Sequence, residues 1–61
     1  MNNYDVKRLA LVLAIQAEIE GMKSFNIERT ANGYALAYTP DDFFEKAEEL
    51  RELANKHDDQ L

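Results

Sequence analysis

Sixty-one residues leave room for one domain, and the absence of cysteine excludes disulfides and thiolate metal sites. A chain this short buries only about 60% of the surface its unfolded form exposes, so a staple or a partner is expected, and oligomerisation is the common route left open. The net charge of −5 is uneven: residues 1–39 carry four acids against four bases, whereas residues 40–61 carry eight acids against three bases. That balance argues against nucleic acid or an anionic membrane as a direct partner, because both need a basic footprint. No segment approaches the ~18 apolar residues of a membrane span, and MNNYDVKR lacks the basic region and cleavage site of a secretory signal. The expectation is a cytoplasmic protein of one small domain, residues 1–61.

The first predicted element begins at Asn2 or Asn3, either of which can cap a helix, and runs through Val6, Leu9, Leu13 and Ala17. At 100° per residue Leu9, Leu11, Val12, Leu13 and Ile15 spread around nearly the whole cylinder. One short partner helix cannot cover such a surface, and a helix apolar on most sides is normally buried on most sides. The missing cover is expected from a second copy. Leu9, Val12, Leu13, Ile15 and Ile19, together with Phe43 and Leu50 of the later helix, are the candidate oligomer interface.

Residues 24–39, SFNIERTANGYALAYT, support two folds. With Asn32-Gly33 as a two-residue turn, Phe25, Ile27, Tyr34, Leu36 and Tyr38 share one face of a β-hairpin over residues 25–38. Against this, Arg29 would lie within the apolar face, and Ala35 and Ala37 are poor strand formers. As a helix, the first element continues to about residue 32 and stops at Gly33, which takes the left-handed position past the end. That reading places Gly21 in mid-helix at a cost of about 1 kcal/mol relative to alanine. The two patterns are close to balanced, with a small advantage to the hairpin.

The last element is signalled most clearly. Thr39-Pro40-Asp41-Asp42 reads as a cap, a proline at the first helical position, and two acids at the positive dipole end. Asp42, three residues after Thr39, stands where a capping box places its acid. Phe43, Ala47, Leu50, Ala54, His57 and Leu61 then recur as a narrow apolar seam, with Leu53 and Phe44 beside it. The i,i+4 pairs Asp42–Lys46 and Glu52–Lys56 add a few tenths of a kcal/mol each. The spacing predicts a helix over about residues 40–57.

No arrangement for catalysis stands out. Ser24 has no histidine near it in sequence, Gly21 and Gly33 are isolated rather than part of a phosphate loop, and no ligand cluster suggests a metal or cofactor. His57 is expected to be structural, a cation on the seam in the last helical turn. Asp41, Glu45, Glu48 and Glu52, with Asp59 beyond them, share the face opposite the seam. They are either a solvated surface or an acidic strip for a basic protein surface. Tyr34 and Tyr38, with Leu36, are expected to cover the helix junction or to serve as a partner-binding centre.

LALVLAIQAEIEGMK, Arg29, Gly33, the AYT of residues 37–39, Asp42-Phe43 and KAEELREL at 46–53 together resemble short proteins of phages and prophages of gut and other low-GC bacteria. The resemblance covers roughly residues 4–57. It implies a helical segment before Gly33, and so an all-α, antiparallel two-helix hairpin, residues 3–32 and 40–57, assembling into an oligomeric bundle. The α-β-β-α fold is then the alternative. The resemblance carries no catalytic signature and no established activity. The function expected is a non-enzymatic binding protein of a phage or mobile element, one that inhibits a host factor through its acidic helix (Asp41, Glu45, Glu48, Glu52) or its connection (Tyr34, Tyr38). The alternative function is an assembly accessory acting through homo-oligomerisation.

Overall fold

The computed structural model describes residues 2–61. Helix α1 spans Asn3–Ala31 and α2 spans Pro40–Asn55, and a short 3-10 turn, Asp58–Gln60, closes the chain. The two helices pack side by side as an antiparallel hairpin, and no strand occurs among the described residues. The β-hairpin alternative is therefore excluded, because residues 25–31 are helical throughout.

Each helix end is set by its own residues. The Asn2 side chain accepts a hydrogen bond from the Asp5 N–H at 2.8 Å, which satisfies one of the free amides of the first turn of α1. At the other end Gly33 adopts φ +78°, the Gly33 N–H donates to Thr30 O and the Tyr34 N–H to Arg29 O. This is a Schellman closure, which needs the left-handed residue that glycine supplies without steric cost. Asn32-Gly33 thus works as a helix stop. At the start of α2 the Asp42 carboxylate accepts from the Thr39 N–H at 2.8 Å and the Thr39 hydroxyl at 3.3 Å. The shorter acid reaches as well as the usual Glu does.

Every less-exposed residue of α1 falls on one row: Arg8, Val12, Ile15, Ile19, Met22, Asn26 and Arg29, spaced 4-3-4-3-4-3. That period is the seam of a two-helix packing. α2 answers with Phe43, Lys46, Ala47, Leu50 and Leu53. Met22 and Leu53 are the deepest apolar side chains, each 7% exposed. The seam of α2 therefore differs from the one expected: beyond Leu50 it turns to Leu53 rather than Ala54, and the larger side chain takes the inner position. His57 is not on it. α2 ends at Asn55, and His57 is an exposed residue whose N–H donates to Gln60 Oε1 at 3.0 Å, capping the final turn.

The expected i,i+4 pairs do not form. Asp42 is held by the cap and Lys56 lies past the helix end, while Lys46 pairs with Glu18 across the helices at 2.5 Å and with Glu49 at 3.3 Å. The hydrogen-bonded Glu18 carboxylate holds the Lys46 ammonium above its ordinary value of 10.5, partial desolvation opposes this, and Glu49 reinforces it.

The molecule measures 47 × 18 × 11 Å and has a radius of gyration of 14.6 Å. A compact chain of this length would have about 10–11 Å. No helix among the described residues is long and apolar enough to cross a membrane.

Candidate functional site: the tied connection and the acidic face

The connection, residues 32–39, is irregular but closely tied to α1. Asn26 does most of this. Its Oδ1 accepts from the backbone N–H groups of Ala37 at 3.1 Å and Tyr38 at 3.0 Å, and its Nδ2 donates to Tyr38 O at 2.9 Å. Three backbone groups without a helix or sheet partner are satisfied by one amide side chain. Arg29, one turn later on the same row, donates from Nε to Ala35 O at 2.7 Å. Its guanidinium lies over the rings of Tyr34 (5.5 Å) and Phe25 (5.8 Å), a cation–π arrangement. Phe25 meets Tyr38 edge to face with centroids 6.1 Å apart.

The three residues of the predicted cluster separate in this arrangement. Tyr38 is half-buried and covers the junction as expected. Tyr34 and Leu36 do not cover it: they are 64% and 54% exposed, although the backbone around them is pinned. Leu36 borders a shallow groove with Asn26, Ile27, Thr30 and Ala31, and Ile27 is itself exposed. The Schellman closure reverses the chain, and Asn26 and Arg29 hold it back against α1 at Ala35, Ala37 and Tyr38, while Tyr34 and Leu36 remain exposed at one end of the hairpin.

The acidic residues lie where helical spacing puts them. Asp41, Glu48 and Glu52 are exposed on the outer side of α2, and Glu45, also exposed, borders the groove that α2 forms with Glu18, Gly21 and Met22 of α1. Glu48 pairs with Arg51, while Asp41, Glu45 and Glu52 join no ion pair among the described residues. Asp59 sits in the terminal 3-10 turn, apart from this strip. Asp41 and Glu45 begin α2 directly after the connection, so acid and exposed apolar surface adjoin at that end.

The candidate interface residues divide. Val12, Ile15, Ile19, Phe43 and Leu50 are half-buried in the contact between the two helices, whereas Leu9 and Leu13 point outward from α1. From sequence alone Asn26 has no role and Arg29 appears only as a misfit on a hairpin face and within the resemblance, yet both occupy the register of the apolar row. A polar residue at a core position near a helix end is the available signal for a side chain that ties down the following loop. Arg8 does the same at the opposite end, donating to Leu53 O and pairing with Asp58 at 2.9 Å.

No group of three or more metal-ligating side chains is gathered among the described residues. Compared with protein-family models, characterised proteins and solved structures, the chain matches none of them.

Proposed function

We propose that the protein is a non-enzymatic binding module that engages a protein partner through the connection end of the hairpin. The observation that carries this reading is the exposure of Tyr34 and Leu36 on a backbone that Asn26 and Arg29 tie at Ala35, Ala37 and Tyr38. A backbone tied before binding loses less conformational entropy on association, and tyrosine is favoured at binding centres. The adjoining acids, Asp41 and Glu45, and Glu52 further along, favour a basic surface that offers an apolar pocket. Their contribution falls on encounter rate and specificity more than on affinity. The setting proposed for it is a phage or mobile element, with inhibition of a host factor as the outcome of binding.

Affinity capture from host lysate with two variants tests the reading. Tyr34→Ala/Leu36→Ala is expected to lose a protein that the wild type retains, with unchanged helicity because both side chains are exposed. Glu45→Lys/Glu48→Lys/Glu52→Lys is expected to weaken capture of the same protein, most at low salt. Capture indifferent to both variants would overturn the proposal. The second reading, an assembly accessory, draws on a different surface, the outer face of α1.

A further inference from the structure

We infer that the outer face of α1 is a self-association surface whose occupant is a second copy of this chain, packed antiparallel through α1. This does not depend on the partner-binding reading, which concerns the other end of the hairpin.

The surface is continuous and uncharged. Val6, Leu9 and Leu13 are exposed on the side of α1 away from α2, with Leu13 57% exposed, and Ala10 and Ala17 fill the same stripe. From Val6 to Ala17 it runs about 16 Å at 1.5 Å per residue. Residues 9–17, LALVLAIQA, carry no charge in any direction. The charged side chains that bound this run, Arg8 and Glu18, are both turned to α2 and engaged there with Asp58 and Lys46. An apolar band of this kind on a small chain marks an interaction site.

Charge selects the occupant. The chain exposes 4747 Å², roughly 700 Å² more than a compact monomer of its mass, an excess spread over the whole elongated hairpin. The net charge of −5 lies entirely in residues 40–61. Pairing through α1 joins the two neutral halves and leaves both acidic helices outermost, where repulsion is least. A stripe that is apolar throughout matches itself, as a two-fold interface requires.

Charge also sets the direction. Glu20 lies just past the stripe, about 1.5 Å × 7 or ~10 Å from Leu13 along the axis. In an antiparallel pair centred on the stripe, Glu20 of one copy, which pairs with Lys23 of its own helix, comes beside the first turn of α1 in the other, where Asn2 and Asp5 already meet the helix dipole. A parallel pair would set Glu20 against Glu20. The assembly is thus a four-helix arrangement of two hairpins.

Sedimentation equilibrium and thermal melts over a dilution series of the full chain test this. The expected result is twice the 7.0 kDa chain mass and a melting temperature that falls on dilution. Leu13→Glu is expected to weaken association at least about a hundredfold, because the change enters an isologous interface twice. Phe44→Glu, at an apolar position on α2 that is more exposed still, is expected to leave it intact. Glu20→Gln should weaken the antiparallel pair, whereas tightening would overturn the antiparallel order. A wild-type monomer at about 100 μM with a dilution-independent melt, or a dimer that survives Leu13→Glu, would overturn the inference. The wild-type dilution series decides even where Leu13→Glu fails to fold.

Discussion

The two long faces of α1 are made of similar residues and have different fates. The inner row, Arg8 to Arg29, is apolar in its middle and polar at its ends, and each polar member ties a neighbouring segment: Arg8 the C-terminal turn, Asn26 and Arg29 the connection. The outer row, Val6 to Ala17, is apolar and has no polar clasp at either end. The first face therefore specifies an intramolecular partner in one register. The second offers contact area without a built-in partner on the same chain. Hydrophobicity alone does not distinguish the two; the polar residues that bracket the row do.

The largest expected effect of breaking that contrast is on the inner face. Leu53→Ala should cost about 2–5 kcal/mol, the range for truncating a buried leucine. In a domain this small it should unfold much of the population at every protein concentration, as read by circular dichroism. Leu13→Ala on the outer face should instead lower the melting temperature mainly at high concentration, where association contributes. Equal losses at all concentrations for both variants would erase the distinction between the faces.

Next comes the clasp. Asn26→Ala strands the N–H groups of Ala37 and Tyr38 and the carbonyl of Tyr38, and should cost about 1–3 kcal/mol, less where water replaces the amide. Hydrogen exchange at Ala37 and Tyr38 should quicken while α1 amides near Ile19 stay protected. Smaller still are the glycines, and they have opposite signs. Gly33→Ala forces an L side chain to φ +78° and should destabilise by about 1–2 kcal/mol. Gly21→Ala meets nothing within 4 Å and should stabilise by about 0.5–1 kcal/mol through helix propensity.

The smallest effect concerns Lys46. Its folded-state value is raised, so its contribution is complete below 10.5, and is lost as pH rises through the higher folded value. The difference in melting temperature between wild type and Lys46→Met should therefore be constant from pH 7 to about 10 and change above that. A difference that stays flat to pH 12 would show that the Glu18–Lys46 bridge contributes nothing measurable.

The local signals proved strongest where one or two residues decide a backbone conformation. Thr39-Pro40-Asp41-Asp42 starts a helix, Asn2 caps one, and Gly33 provides a positive φ, all through contacts within a few residues. The same locality made residues 24–39 ambiguous, since Gly33 suits a hairpin turn and a helix stop equally. The structure resolves this through residues 25–31, where Asn26 and Arg29 serve the helix by closing its loop, a role visible only once Ala35, Ala37 and Tyr38 come back alongside. The acidic strip was legible from helical spacing, because an exposed face needs no partner to define it. The exposure of Tyr34 and Leu36 was not, since a hydrophobic residue in a loop looks the same whether it packs inward or projects.

By itself, then, the amino-acid sequence determined the second helix and its capped start, the beginning of the first helix, the neutral first half and the acidic second. These follow from propensity, capping chemistry and charge, which act over one or two turns. Only the tertiary structure decided which of several apolar stripes on α1 meets α2, why Leu53 rather than Ala54 completes the seam, and that Val6, Leu9 and Leu13 remain uncovered. A helix apolar on several sides can bury any of them, and the choice falls to the row whose ends carry the side chains able to fasten the rest of the chain.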